Sequence, residues 1–116
     1  MEKIIQQGIL YDFYGELLTD HQKQIYESLV YENLSAAEIA DEHGISRQAV
    51  HDLVKRTDKI LEDYENKLGL VKRFSVIREQ IGCIDGKLSD SIAKNPDRDE
   101  ELTVIRNLCK QILDIM

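Results

Sequence analysis

A segment near the middle of the chain, LSAAEIADEHGISRQAVHDLVKR at residues 34–56, predicts two short helices joined by a glycine turn. Ser35 and Glu38 have the spacing of a capping box, so a helix should begin directly after Ser35. Gly44 follows, at a position where a positive φ costs glycine no steric energy. Ser46 can cap a second helix, whose apolar residues recur at helical spacing. This order is typical of the helix-turn-helix, which places its second helix in the major groove of DNA.

Length and composition limit the chain to a small helical protein. Its 116 residues, 42% of them hydrophobic, correspond to one domain, and six glycines and one proline leave little room for β-turns. Few segments alternate between apolar and polar residues, so we expect an all-α fold. No apolar run approaches the ~20 residues of a membrane span, and the start lacks a secretory signal. These features predict a cytoplasmic protein that does not enter a membrane.

Helices are also expected on both sides of the glycine turn. The first covers Ile4–Leu18 and is expected to break or fray at Gly8 and Gly15. The second follows a cap at Thr19 or Asp20 and ends near residue 32. The recognition-type helix, the second of the helix-turn-helix, keeps its apolar stripe as far as Gly69, which offers a C-terminal stop. At 1.5 Å per residue it is a rod of roughly 30 Å, longer than a groove-reading helix needs.

The last third of the chain predicts two more helices, over residues 70–93 and 100–115, separated by a loop around Pro96. Apolar residues recur in each at steps of three and four, close to a heptad seam. In the final helix this stripe consists of Leu102, Ile105, Cys109, Ile112 and Met116. We therefore expect a helix-turn-helix domain over 1–69, with its motif at 35–56, and a C-terminal helical extension over 70–116 that packs on it. A single compact domain is the alternative.

The apolar stripes exceed what one small helix-turn-helix core should need. A chain of this size buries only roughly 65% of its unfolded surface, and two-fold dimers are the commonest oligomers. We therefore expect a homodimer, with the C-terminal extension as its dimerisation element.

The net charge of −7 is unevenly distributed. Residues 1–69 contain 7 Lys/Arg against 14 Asp/Glu, whereas residues 70–116 contain 8 of each. Such an excess of acid opposes non-specific DNA binding, which depends on attraction to phosphates. Between residues 43 and 60, however, four basic residues outnumber Asp52 and Asp58, which leaves a local charge of +2.

The outward face of the recognition-type helix carries the candidate contacts to nucleic acid: Arg47, Gln48, His51, Lys55 and Lys59. Arg47 and Gln48 lie in the first turn, which reaches base edges, and these residue types pair with guanine and adenine. Lys55 and Lys59 are placed to contact phosphates. Asp52 shares this face and would repel phosphate or accept from a cytosine amine. The alternative is an ordinary solvated helix face, because outer faces are normally charged.

No catalytic or metal site is expected. Ser35 and Ser46 are better explained as helix caps than as nucleophiles, since neither has a histidine in a triad-like arrangement. His21, His43 and His51 fall on different predicted helices and lack metal-binding spacing.

The remaining features do not favour an enzyme or a cofactor. Cys83 and Cys109 lack metal-type spacing and are interpreted as core thiols in a reducing compartment. The sequence contains no glycine-rich phosphate loop.

Three segments together resemble the YlxM family of bacterial helix-turn-helix proteins: LYDFYGELLTDHQKQIYE, LSAAEIADEHGISRQAVHDLVKR and ILEDYENKLGL. The resemblance covers residues 10–74, and the helix-turn-helix is similar to region 4 of bacterial sigma factors, which reads the −35 promoter element. It implies an all-helical cytoplasmic protein whose gene neighbours those of the signal recognition particle protein and its receptor. On the sigma-like recognition helix it places Ser46, Arg47, Gln48, His51, Lys55 and Arg56. The chain is too short to contain a polymerase-binding region, so it is not a stand-alone sigma factor.

The interpretation is a homodimeric helix-turn-helix regulator that binds DNA or the signal recognition particle RNA and acts in that targeting pathway. The alternative is a protein or RNA adaptor of the particle without specific DNA binding. In that case the acidic first half would face a basic partner, such as the particle protein.

Overall fold

The computed structural model describes residues 2–116, and its regular structure over that range is entirely helical, which confirms the all-α prediction. The α-helices in chain order are α1 Lys3–Tyr14, α2 Asp20–Val30, α3 Ala36–His43, α4 Arg47–Leu68, α5 Leu70–Lys94 and α6 Asp99–Ile115. Short 3₁₀ turns cover Gly15–Leu17 and Pro96–Arg98. The chain forms two compact units, an N-terminal unit that ends at Val71 and a C-terminal unit that spans Lys72–Met116. None of the helices in residues 2–116 combines the length and apolar character that a bilayer crossing requires.

The helix-turn-helix forms at the predicted residues because each of its ends has a local cause. Ser35 and Glu38 form the capping box, with each side chain accepting from the other's backbone N–H at 3.2 Å. Gly44 ends α3 in the left-handed conformation, at φ 66° and ψ 34°. The Ser46 hydroxyl then accepts from the amide of Ala49 at 3.0 Å and starts α4. The turn therefore lies where the sequence predicted it.

The break predicted at Gly15 is present in the first helix, and the break predicted at Gly8 is not. Gly8 does not interrupt α1, but the α-helix ends at Tyr14 and a 3₁₀ turn begins at Gly15. A Cβ on Gly15 would lie 2.9 Å from the ring of Tyr11, so glycine is needed for this buried ring to lie against the backbone. Thr19, rather than Asp20, caps α2, and it forms a second capping box with Gln22.

Two clusters of buried side chains hold the N-terminal unit together. The first joins α1, α2 and α4 through Tyr11, Tyr14, Leu18, Tyr26 and Leu61. The second joins the three helices around the turn through Ile25, Ile39, Ala40 and Val50. Because both clusters contain residues of α4, this helix is fixed along one side and its opposite side faces outward.

A polar contact supports the junction between α4 and α5. The Tyr14 hydroxyl donates to Glu65 at 2.5 Å and accepts from the amide of Leu70 at 3.2 Å, while Glu65 also accepts from the amide of Val71 at 3.1 Å. Burial raises the pKa of the Tyr14 phenol, and the bond to Glu65 raises it further. Gly69, at φ 62°, ends α4 as predicted, and these contacts satisfy the first amides of α5.

The C-terminal unit consists of α5 and α6. Its buried residues are Ile81 on α5 and Leu102 and Cys109 on α6, and Arg106 Nε donates to Asp85 at 2.7 Å. Cys83 is exposed, so the prediction of two core thiols is correct only for Cys109.

Candidate nucleic-acid interface

The inward side of α4 is apolar, and the buried hydroxyl on it has a hydrogen-bond partner. Val50, Thr57 and Leu61 are each no more than 2% exposed. The Thr57 hydroxyl, which would be costly to bury unpaired, donates to the carbonyl of Leu53 at 2.8 Å. Nothing polar on this side requires a ligand, so recognition would have to use the outward side.

The structure places every predicted contact residue on that outward side. Arg47, Gln48, His51, Lys55 and Lys59 are all exposed. They lie in the first three and a half turns of α4, directly after the cap at Ser46. No acidic residue lies in the first turn, where the helix dipole presents its positive end.

Asp58 does not belong to this face, although the sequence predicted that it would reduce the local positive charge there. Its carboxylate accepts from the hydroxyl of Tyr26 and from Nε2 of Gln7 at 2.9 and 3.1 Å. Burial raises the pKa of the Tyr26 phenol and the bond to Asp58 raises it further, so the phenol keeps its proton at neutral pH. This acid therefore links α4 to α1 and α2.

The outward face over residues 47–59 is therefore more basic than the sequence count indicated. Four exposed cations, Arg47, Lys55, Arg56 and Lys59, share it with one exposed acid, Asp52. We call this surface, together with Gln48 and His51, the basic patch.

Asp52 is engaged within the basic patch. Gln48 Nε2 donates to its carboxylate at 3.0 Å, and Arg56 Nε donates to its backbone carbonyl at 3.4 Å. Gln48 would have to release Asp52 before its amide could bind an adenine edge bidentately. Base reading by Gln48 is thus coupled to the state of Asp52, a contact that the four-residue spacing alone could have indicated.

The basic patch is small and has acidic neighbours. Beyond Lys59 the same side of α4 carries exposed Glu62 and Asp63. The adjacent helix α3 exposes three further acids, Glu38, Asp41 and Glu42. Phosphate attraction is therefore confined to the part of α4 that carries residues 47–59.

A groove beside the basic patch was not foreseen from the sequence. It has a volume of about 540 Å³ and lies between the start of α2 and α4. Its apolar side chains include Ile45, Ala49, Leu53 and Ile60. Patterning assigns such residues to the core, and it could not show that the start of α2 leaves them half exposed.

The histidines form no recognisable metal site. The rings of His21 and His43 lie edge to face with their centroids 6.5 Å apart, and Nε2 of His43 is buried without a hydrogen-bond partner. Within residues 2–116 no group of three or more His, Cys, Asp or Glu side chains is arranged to hold a metal ion.

Comparison with known proteins agrees with the resemblance found in the sequence. The profile of a family described as "UPF0122: Putative helix-turn-helix protein, YlxM / p13 like" matches residues 1–103. A UPF0122 protein of Thermoanaerobacter sp. (strain X514) is 41% identical over 108 residues, which cover 92% of this chain and 91% of that protein. A UPF0122 protein of Streptococcus gordonii is 48% identical over 81 residues, or 70% of this chain and 73% of that protein.

Proposed function

The chain belongs to the UPF0122 family of YlxM/p13-like helix-turn-helix proteins, and we propose that it is a regulatory protein that binds nucleic acid through the basic patch on α4. The observation that carries the proposal is the inward position of Asp58, which leaves four exposed cations against one exposed acid. Binding and positioning of a polynucleotide, rather than catalysis, is the role that this surface supports.

The residues of the patch have different tasks in this proposal. Arg47 reads a base edge from the first turn, because its guanidinium matches the O6 and N7 acceptors of guanine. Gln48 reads an adenine once it has left Asp52. Lys55 and Lys59 lie one and two turns further along the helix from His51 and hold phosphates, which adds affinity without sequence preference.

A homodimer completes the proposal for duplex DNA. One helix-turn-helix reads only a short half-site, and two related by a two-fold axis can read half-sites separated by about one turn of the duplex. Two basic patches would also double the phosphate contacts, which compensates for the small size of each.

The resemblance to the YlxM family supports a role in the signal recognition particle pathway. The nucleic acid is then either duplex DNA or the particle RNA, whose single-stranded loops and bulges expose the same base edges. Both ligands require the exposed cations of α4, so a single set of variants tests them.

An adaptor function is the second candidate, and a specific observation favours it. Outside the basic patch the outward surfaces of α3 and α4 are acidic, through Glu38, Asp41, Glu42, Glu62 and Asp63. These acidic side chains repel a polyanion and attract a basic protein. In this alternative the particle protein, not nucleic acid, covers the acidic surface.

Titration at several salt concentrations against duplex DNA, the particle RNA and the purified particle protein separates the two functions. Lys59→Ala should weaken binding to all nucleic-acid sequences alike and reduce the salt slope by about 0.9 for the lost phosphate contact. Lys67→Ala, which removes an exposed lysine at the other end of α4, is the matched control and should leave the slope unchanged. Arg47→Ala should cost ~1–3 kcal/mol at a preferred site and relax the preference there.

The nucleic-acid function is wrong if neither polynucleotide binds at low salt while the particle protein does. It is also wrong if the Lys59 and Lys67 variants have the same effect, since binding would then follow net charge and not the patch.

A further inference from the structure

Helix α6 has two apolar faces, only one of which is covered. Leu102 and Cys109 are buried in the C-terminal unit. A second face is left exposed by side chains at steps of three, four and three residues: Ile105, Leu108, Ile112 and Ile115. Their exposed fractions are 41%, 52%, 48% and 86%. We call these four residues, together with the neighbouring Val104, the α6 stripe.

The structure divides what the sequence treated as one stripe. Ile105 and Ile112 were expected to share a face with Leu102 and Cys109, but they lie on the exposed side with Leu108. Steps of three and four on a straight helix face are typical of a coiled-coil seam, which another helix fills with knobs-into-holes packing.

The size of the α6 stripe is sufficient for an interface. Five exposed aliphatic side chains on one helix form a patch on the order of the 300–600 Å² that marks interaction sites. When two such patches meet, they bury roughly 1,000 Å² in total, which is the lower bound for a specific interface.

We propose that a second copy of this chain covers the α6 stripe, with the two α6 helices antiparallel about a two-fold axis. The inference rests on the homodimer of the proposed function. It specifies which surface forms the interface and the order, antiparallel or parallel, of the two α6 helices. The register that pairs all four seam residues places Leu108 opposite Ile112 of the second copy, and Ile105 opposite Ile115.

Charge and dipole favour the antiparallel order. Asp99, Glu100 and Glu101 form the first turn of α6. A parallel pair would bring six carboxylates together at one end, whereas an antiparallel pair separates them by the length of the helix and aligns the helix dipoles favourably.

The flank of the α6 stripe fits a copy of itself. The exposed positions along the side of the seam are Asn107 and Gln111, which are polar and uncharged. Exposed Glu101 lies in line with the seam one turn before Ile105, and in the antiparallel register it lies beyond the end of the second copy's α6. Two identical flanks can therefore meet without like-charge repulsion, which a self-complementary interface requires.

Sedimentation of the full chain tests the surface. Wild type should be a dimer at micromolar concentration, and Leu108→Glu with Ile112→Glu should weaken the dimer on the order of 100-fold or more. Both positions are exposed within one chain, so helicity should be unchanged. The matched control, Thr103→Glu on the polar side of α6, should remain dimeric.

The possible outcomes are distinct. A monomeric wild type overturns the homodimer and assigns the α6 stripe to a different protein, and it leaves nucleic-acid binding by α4 to be judged by its own titration. A dimer that survives the double substitution overturns the surface only.

Cross-linking tests the antiparallel order of the two α6 helices, and it does not require a variant that weakens the dimer. In a Cys83→Ser, Cys109→Ala background, a mixture of Leu108→Cys and Ile112→Cys chains should form a disulfide between the two variants, and neither variant should form one alone. A parallel pair predicts the reverse, because each position then meets itself, and a disulfide needs Cα atoms within about 7 Å. Self-linking of Leu108→Cys would therefore overturn the antiparallel order.

Discussion

The two units of this molecule complete their cores to different extents. In the N-terminal unit Tyr14, Ile25, Tyr26, Ile39 and Leu61 are at most 1% exposed. In the C-terminal unit the buried residues Ile81, Leu102 and Cys109 remain 7–9% exposed. In the N-terminal unit α2 and α3 begin with capping boxes, whereas α6 begins at Asp99 without any side-chain cap.

This difference indicates how the two units are stabilised. Three helices around a central α4 can enclose a core, and the tyrosine hydroxyls at its edge find carboxylate partners. Two helices have only one shared interface and cannot cover both sides of an amphipathic helix. The N-terminal unit therefore has a core of its own, and the C-terminal unit retains an exposed apolar face.

The largest effect should come from truncating one leucine in each unit, a buried one in the N-terminal unit and an exposed one in the C-terminal unit. Leu61→Ala removes a side chain that is 0% exposed and should lower the free energy of unfolding by ~2–5 kcal/mol. Leu108→Ala removes one that is 52% exposed and should change it much less at low protein concentration, while weakening the dimer. Denaturant titrations followed by far-ultraviolet circular dichroism report on both units, and tyrosine fluorescence reports on the N-terminal unit, because it holds all five tyrosines. Equal losses for both variants would contradict the contrast between the units.

Glycine substitutions sharpen the comparison at the level of the backbone. Gly44 adopts φ 66°, and a Cβ there meets no atom within 4 Å, so Gly44→Ala suffers only from the left-handed conformation. It should cost ~1–2 kcal/mol and lower the melting temperature by several degrees.

Gly82 is the matched position in the C-terminal unit. It lies inside α5 with no atom within 4 Å of an added Cβ, and its backbone is helical. Gly82→Ala should therefore stabilise the helix by roughly 0.5–1 kcal/mol. If Gly44→Ala melts at the wild-type temperature, the turn does not depend on the conformation of Gly44, and if Gly82→Ala does, the glycine costs α5 no stability.

Local features of the fold could be predicted from the sequence because their causes lie within a few residues. The capping box at Ser35 and the left-handed glycines at residues 44 and 69 occur where spacing placed them, and Thr19 is one of the two caps expected for α2. The same holds for the length of α4, which ends at Leu68 before its glycine.

Features that depend on distant residues could not be predicted. The inward position of Asp58 requires Tyr26 and Gln7, which are 32 and 51 residues away in the chain. The two apolar faces of α6 could not be separated by periodicity, because a stripe at steps of three and four does not identify the helix that covers it. The five contact residues on α4 were placed by helical spacing, and their binding of nucleic acid remains a prediction.

The smallest effect at neutral pH, and the last prediction, concerns the tyrosines that only the N-terminal unit contains. Burial raises the pKa of the Tyr26 phenol, and its hydrogen bond to the Asp58 carboxylate raises it further above the ordinary value of 10.0. A phenol that holds its proton more tightly in the folded state gives a stability that is complete below pH 10, where both states are protonated. Above pH 10 the unfolded chain releases this proton first, so stability is lost as pH rises through the folded pKa. The free energy of unfolding should therefore be level up to about pH 10 and fall above it. Tyr26→Phe should lower it by ~1 kcal/mol at neutral pH by removing a hydrogen bond, and should make its decline above pH 10 shallower. Denaturant titrations of both proteins at pH 8, 10 and 11 measure the two slopes. Parallel declines would show that Tyr26 does not carry the alkaline instability of the N-terminal unit.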